Sequence, residues 1–183
     1  MKLLTANKAI ADALKSWLGV LAILFAGAYS LLEYIEHKKA VKVERSLSYV
    51  EHYRDSSTTE AKLFLNQLLA DNHQKLAQIL NAKYDNETAL NTAYNSFIVK
   101  ITNKPSVQRN LEVAFSFFEE VAICVERELC DQQVIHSFFS NDAKALFNSF
   151  SPYVCSLRQQ WKNNTVYLKL EQFYVQPDKD ICL

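Results

Sequence analysis

The sequence predicts an all-α protein in which a single N-terminal transmembrane helix is continuous with a stalk and is followed by a cytoplasmic helical bundle. The stretch from Ser16 to Leu32 contains no charged residue, and with its flanks it is long enough to cross a hydrocarbon layer of about 30 Å. Both glycines of the chain, Gly19 and Gly27, lie inside this stretch. The remainder therefore lacks the residue that tight antiparallel hairpins favour, and its apolar residues recur at helical spacing.

A cleaved signal peptide and a buried helix of a soluble protein are the two alternatives to a membrane anchor. The small residues Ala26 and Ala28 resemble a signal-peptide cleavage site. However, the segment before them is long for a signal peptide and contains Asp12, and apolar residues continue beyond them to Ile35. The sequence therefore favours an uncleaved anchor.

Helix signals and changes in composition divide the chain into four segments. These are an N-terminal tail with the transmembrane helix (1–35), a juxtamembrane stalk helix (36–56), a helical bundle (57–176) and a loose C-terminal tail (177–183). No helix breaker separates the first two segments. We therefore expect one continuous helix from about Lys8 to Tyr53.

Capping residues mark the helices of the predicted bundle. Ser57 and Glu60 have the spacing of a capping box, and the apolar pattern after them predicts one helix as far as Leu80. Proline and short polar residues indicate the other boundaries. Further helix starts or breaks are predicted at Asp85 or Asn86, at Lys104 to Ser106, at Asp131, at residues 140–142, at Ser151 and Pro152, and at residues 163–165.

Small residues line one side of the predicted membrane helix. Ala22, Ala26 and Ser30 recur at every fourth position, with Gly19 and Gly27 nearby. This spacing lets two membrane helices approach closely, so that packing drives their association. The alternative is that small residues are simply common in membrane helices. We expect these residues to support either a homo-oligomer or docking to a membrane protein partner.

The predicted stalk repeats apolar residues at the spacing of a short coiled coil. Ala40, Val43, Leu47 and Val50 form this pattern, and we call them the stalk seam. Because coiled-coil seams pair with another helix, the seam predicts a second surface for the same self-association or partner docking.

A basic group follows the membrane segment. Lys38, Lys39, Lys42 and Arg45 would lie beside anionic lipid headgroups, where each contributes about 1 kcal/mol. Interleaved glutamates such as Glu44 favour the alternative of an ordinary solvated helix face. The formal net charge of the chain is zero, so we do not expect binding to nucleic acid.

Basic residues and cysteines predict which side of the membrane the body faces. The basic group after the span exceeds the lysines before it by one residue, and the positive-inside rule then favours the cytoplasm. Cys124 and Cys130 would point about 120° apart on one helix, which disfavours a bond between them. Together with Cys155 and Cys182 they are predicted to be buried free thiols. We therefore expect an inner-membrane protein with its body in the cytoplasm.

Most catalytic templates are excluded by the residues that are missing. Because no glycine follows Gly27, the chain has no phosphate-binding loop, dinucleotide fingerprint or nucleophile elbow. No histidine follows a glutamate by three residues, and neither Cys-x-x-Cys nor His-x-x-x-His is present. We expect no catalytic residue, no metal and no cofactor, and the sequence does not indicate a small-molecule ligand.

The densest polar feature is a carboxylate cluster beside the most apolar predicted helix. Glu119 and Glu126 share one helical face, from which they could bind a cation or position a base. The favoured interpretation is structural: they form the solvated side of an amphipathic helix, with Arg127 and Asp131 fixing the turn. Glu120 and Glu128 are the other members of the cluster, and His136 is expected to be a packed or surface histidine.

Several runs resemble a large bacterial family of small helical proteins catalogued as domain of unknown function 4760. These runs are FFEEVAICVERELCD at 117–131, FSPYV at 150–154 and YLKLEQF at 167–173. The charged helix HKKAVKVER at 37–45 is similar to the one that follows the membrane helix in members of this family. The resemblance covers about residues 20–175 and implies architecture rather than an activity. Glu128 stands where the family pattern often has glycine, so we expect a different local turn.

These features predict a membrane-anchored, non-enzymatic interaction or signalling module. A helix that enters the bundle directly could couple a change in the body to the membrane, as a sensor or effector requires. Some bacterial defence effectors share this layout, which is an analogy of architecture alone. The alternatives are a structural accessory subunit of a larger membrane complex and an enzyme with a non-standard site.

Overall fold

The computed structural model describes the backbone of residues 2–54, 57–174 and 182, and their side chains from Trp17 onward except Val20. Within these residues it contains seven helices and no strand, which confirms the all-α prediction. The predicted loose tail lies outside the described residues except for Cys182. The helices are α1 (Lys2–Arg54), α2 (Ser57–Asp71), α3 (His73–Asn81), α4 (Glu87–Thr102), α5 (Pro105–Glu126), α6 (Gln132–Trp161) and α7 (Leu168–Tyr174).

The chain forms two compact units, Met1–Lys42 and Val43–Leu183. The first unit consists of the N-terminal part of α1. The second unit, here called the body, contains the end of α1 and helices α2 to α7 around one hydrophobic core. Since α1 runs without a break from Lys2 to Arg54, the prediction of a continuous first helix is confirmed.

The central helix of the body is α5. It packs against α2, α4, α6 and α7, and its apolar residues are buried on more than one side because these helices surround it. Burying a side chain of this kind contributes roughly 1.5–3 kcal/mol. The residues that α5 buries are Val107, Leu111, Ala114, Phe115, Phe117, Phe118, Val121, Ala122 and Cys124.

Tyr53 joins the end of α1 to this core. Its ring centroid lies 5.2 Å from that of Phe117 and 5.3 Å from that of Phe139. Its hydroxyl donates to the Asp142 carboxylate at 2.9 Å, and Lys62 of α2 forms an ion pair with the same carboxylate. Burial raises the pKa of Tyr53, and the hydrogen bond and charge of Asp142 raise it further. The contacts of Tyr53 and Asp142 therefore connect α1, α2 and α6.

Two predicted helix caps are confirmed. Asn86 Oδ1 accepts the N–H of Ala89 at 2.8 Å, and Asp131 Oδ1 accepts the N–H of Val134 at 3.0 Å. Each side chain satisfies one of the N–H groups that have no partner in the first turn of a helix. Pro105 begins α5, at a position where its missing N–H costs little.

Three predictions of helix boundaries are wrong. The single helix predicted over residues 57–80 is divided into α2 and α3 at Asn72, whose side chain donates to the Leu68 carbonyl at 2.8 Å and competes with the helical pattern. Helix α6 is continuous through residues 140–142 and Pro152, where breaks were predicted. The missing N–H of Pro152 leaves the Asn148 carbonyl without its helical partner, but Asn148 is exposed, so solvent can bind this group.

Helix α5 ends in a left-handed turn at Glu128, whose φ is 54°. The N–H of Leu129 donates to the Cys124 carbonyl, and the N–H of Glu128 donates to the Val125 carbonyl, both at 2.9 Å. This hydrogen-bond pattern is a Schellman cap, in which the left-handed position usually holds glycine. Contrary to the expectation of a different turn, Glu128 adopts the conformation that glycine favours.

Candidate functional site

The first unit presents an exposed apolar surface. All described side chains from Trp17 to Ala40 are exposed, and Ile23 and Phe25 are 74% and 73% accessible. In the described part of the chain, α1 is the helix that is long and apolar enough to cross a membrane, and none of its apolar window is buried. This exposure contradicts the alternative of a buried helix in a soluble protein. A membrane anchor and a signal sequence both fit it.

The predicted membrane-helix packing residues lie on this surface. Gly19, Ala22, Ala26, Gly27 and Ser30 are all exposed. A Cβ atom added at either glycine would meet nothing within 4 Å. Because the described chain leaves this space open, the predicted contact requires another molecule, and it stays a prediction.

The stalk seam is divided between the core and the surface. Val50 is buried, Val43 is half-buried, and Ala40 and Leu47 are exposed. Ser46 is fully buried on the same helix, and its hydroxyl accepts the N–H of Asp131 at 2.8 Å. Val50 is therefore occupied by the chain's own core, while Ala40 and Leu47 are accessible to a second helix.

The basic group is largely accessible. Lys38, Lys39 and Arg45 are exposed, whereas Lys42 is partly buried. Exposure is what contact with lipid headgroups requires, and a solvated helix face shows the same property. Contact with lipid therefore stays a prediction.

All four cysteines are bonded, as Cys124–Cys130 and Cys155–Cys182, which contradicts the prediction of free thiols. That prediction assumed a helix through residue 130, but α5 ends at Glu126 and the turn at Glu128 returns the chain toward Cys124. The Cα atoms of Cys124 and Cys130 are 5.3 Å apart, within the usual disulfide range. The predicted free thiols were one of two reasons to expect a cytoplasmic body, and the disulfides remove this reason.

The two disulfides differ in burial. Cys124 and Cys130 are only 5% and 3% exposed. In contrast, Cys182 is exposed and Cys155 is half-buried. The second bond also closes a larger loop, with a sequence separation of 27 residues against 6, and this loop contains α7.

Arg158 of α6 holds three neighbouring groups. Its Nε donates to the Val166 carbonyl at 2.9 Å, and its Nη2 lies 2.6 Å from the Glu171 carboxylate. Its Nη1 lies 3.8 Å from the sulfur of Cys182. This role of Arg158 was not predictable from the sequence, because no local spacing relates Arg158 to Glu171 or Cys182.

Glu119 holds the start of α7. Its two carboxylate oxygens accept the N–H groups of Lys169 at 3.1 Å and Leu170 at 2.6 Å. Burial raises the pKa of Glu119, while these two hydrogen bonds and the charges of Lys169 and Arg158 oppose that rise. Glu126 forms an ion pair with the Lys169 side chain. Glu119 and Glu126 thus make structural contacts with α7.

The rest of the carboxylate cluster is dispersed. Glu120 and Glu128 are exposed, and Asp131 caps α6. The exposed His136 ring lies near the ring of Phe173, with 6.4 Å between centroids. Among the described residues, no group of three or more histidine, cysteine, aspartate or glutamate side chains is arranged to hold a metal ion.

A shallow groove of about 280 Å³ lies between α5, the start of α6 and α7. The Glu126–Lys169 ion pair lies at this groove. The other lining residues are Ala122, Val125, Gln132, Gln172 and Phe173.

Residues 17–176 match the family model described as Domain of unknown function (DUF4760). The chain belongs to this family. The match includes both the apolar part of α1 and helices α2 to α7, so the family unit contains the apolar helix as well as the bundle. No curated protein and no solved structure gave a match.

Proposed function

We propose that this DUF4760 protein is a single-pass, membrane-anchored interaction module with a helical body that binds a partner and performs no catalysis. The observation that carries the proposal is that the apolar surface of α1 is exposed although the body has a hydrophobic core of its own. Exposure of apolar area to water costs about 25 cal/mol per Å². Insertion of α1 into a bilayer would remove this cost.

The body is proposed to face an oxidising compartment. This orientation is supported by the pairing of all four cysteines, because the thiol pool of a cytoplasm keeps most cysteines reduced. The positive-inside count favours the opposite orientation by one residue. A difference of one basic residue is a weaker argument than two disulfides. We therefore replace the prediction of a cytoplasmic body with a body in an oxidising compartment.

The partner is proposed to be a second copy of the chain or another membrane protein. Support comes from the accessible small residues of α1, where close approach of another helix meets no obstacle. The basic group then lies beside the lipid headgroups. Since α1 continues into the body without a break, a change at either end could reach the other, as a signalling module requires.

The test combines membrane extraction with affinity purification of the full chain. We expect the chain to stay in the membrane pellet at alkaline pH, and to elute from detergent with a second copy or a membrane protein at fixed ratio. A large partner at fixed ratio would favour the accessory-subunit alternative. A monomeric chain released by alkaline extraction would contradict the proposal.

Two matched substitutions test whether the small residues form the contact. Ala26→Ile keeps the helix apolar but should block close approach, so the chain would still insert while losing its crosslinked oligomer or partner. Leu24→Ile changes a residue about 160° away around the helix and should alter nothing. Full association of both variants would show that the small residues are not the interface.

A further inference from the structure

The structure assigns different chemistry to the two disulfides of the body. We infer that Cys155–Cys182 is a thiol–disulfide exchange site that reacts with a thiol or dithiol, whereas Cys124–Cys130 is a structural bond. The exchange site does not depend on whether the body binds a partner.

Accessibility is the first observation that distinguishes the two bonds. Exchange requires a thiolate to reach one sulfur of the disulfide. Cys182 is exposed and offers such an approach. Cys124 and Cys130 are both buried in the hydrophobic core, so a reductant reaches them only after local opening of the body.

The charge beside the Cys182 sulfur is the second observation. Arg158 Nη1 lies 3.8 Å from Cys182 Sγ, and Cys155 is three residues before Arg158 on α6. A nearby cation stabilises a thiolate, so Arg158 favours the release of Cys182 as a thiolate in the second step of reduction. The Glu171 carboxylate partly neutralises the charge of Arg158, but it is bound to the other terminal nitrogen, Nη2. The guanidinium thus keeps one nitrogen directed at the sulfur.

Exchange with a dithiol proceeds in two balanced steps. The attacking thiolate forms a bond to Cys182 Sγ, the Cys155–Cys182 bond breaks, and Cys155 leaves as a thiolate that takes a proton from solvent. The second thiolate of the reductant then attacks the reductant's first sulfur, which is bonded to Cys182 in the mixed disulfide. Cys182 leaves as a thiolate, which is also protonated. The reductant is oxidised to a cyclic disulfide by the two electrons that reduce the cystine.

Opening this bond leaves the other contacts of α7 in place. The Arg158–Glu171 ion pair and the two hydrogen bonds to Glu119 do not involve either sulfur. We therefore expect reduction to loosen α7 locally while the body stays folded. Faster amide exchange confined to residues 168–174 would be its signature.

The test is a reduction time course on the purified full chain in detergent. Samples treated with dithiothreitol are quenched with acid, alkylated and mapped by mass spectrometry, with circular dichroism recorded in parallel. We expect Cys155 and Cys182 to become alkylated at least about tenfold faster than Cys124 and Cys130, before helical signal is lost. Equal rates, or faster opening of Cys124–Cys130, would overturn the assignment.

A matched pair of variants tests the same site by oxidation. Cys155→Ser leaves Cys182 unpaired, and we expect it to form a mixed disulfide with added glutathione disulfide. Cys124→Ser leaves Cys130 unpaired in its buried position, and we expect no adduct there while the chain stays helical. An adduct on Cys130 but none on Cys182 would contradict the proposal. Because the purified chain is used, neither outcome depends on which side of a membrane the body faces.

Discussion

Arg158 and Glu171 form a nearly buried ion pair, with 2.6 Å between Nη2 and Oε2 and side-chain exposures of 8% and 12%. The pair joins α6 to α7, which has only seven residues. A helix this short is not stable alone in water. Its place in the body therefore depends on Arg158, on Glu119 and on burial of Leu170 and Tyr174.

Glu171→Gln should destabilise the folded chain by about 3 kcal/mol, because it leaves the Arg158 guanidinium buried without its counter-charge. Glu126→Gln is the matched control. Its ion pair with Lys169 is about half exposed on the glutamate side, and such pairs contribute about 0–1 kcal/mol. Urea unfolding followed by circular dichroism measures both, and equal losses would refute the burial argument.

Tyr174→Phe should leave stability unchanged or raise it by about 1 kcal/mol. The Tyr174 hydroxyl is buried with no hydrogen-bond partner among the described residues, and an unsatisfied buried group costs about 1–3 kcal/mol. In Tyr94→Phe, by contrast, the hydrogen bond of the hydroxyl to the Ser149 carbonyl at 3.0 Å is lost, so we expect a loss of about 1 kcal/mol. Similar losses in the two variants, measured by urea unfolding, would contradict this.

Glu128→Gly should stabilise the chain by about 1 kcal/mol, since a left-handed backbone costs a residue with a Cβ roughly 1–2 kcal/mol that glycine avoids. Glu112→Gly, in the interior of α5, is the control. Glu112 is exposed and helical, and glycine there should destabilise by about 1 kcal/mol. Opposite shifts in melting temperature are expected. A loss in both variants would show that the turn at Glu128 is not strained.

Glu119 gives the body a defined dependence on pH. Burial raises the pKa of its carboxyl above the ordinary value of 4.5, so the folded state holds this proton more tightly than the unfolded state. The resulting stabilisation is fully present below the unfolded pKa and is lost as the pH rises through the folded pKa. Relative to Glu119→Gln, which stays neutral, the native chain should therefore lose stability as pH rises from 4.5 toward neutrality.

Urea unfolding at a series of pH values measures this difference. Glu120→Gln, on the exposed side of the same helix, is the control for removal of one negative charge. If Glu119→Gln and Glu120→Gln changed the pH profile in the same way, the role assigned to Glu119 would be wrong.

Features determined by neighbouring residues were predictable from the sequence. The caps at Asn86 and Asp131 depend on a hydrogen bond to a backbone group three residues away, and the apolar stretch of α1 needs no tertiary information. The family resemblance was likewise carried by short runs, and the family match confirms it.

Features that depend on distant contacts were not predictable in this way. Pro152 looks like a helix start, yet α6 continues through it, and Pro152 is buried in the body together with Phe150 and Tyr153. The Cys124–Cys130 bond depends on where α5 ends. Because α5 ends at Glu126, Cys130 is not on the same helix as Cys124, and the two Cα atoms come within 5.3 Å of each other. Arg158 contacts Glu171 and Cys182 across the fold, and no spacing in the sequence indicates either contact.

The intact mass of the chain recovered from alkali-washed membranes, after alkylation of free thiols in whole cells, tests the central claim most directly. We predict the full-length mass without alkyl groups, because we propose that the anchor is uncleaved and that the four cysteines stay paired in the cell. A chain shortened near Ala28 and found in the soluble fraction would establish a signal peptide instead of an anchor. A full-length chain carrying four alkyl groups would place the body in a reducing compartment and contradict the proposed orientation.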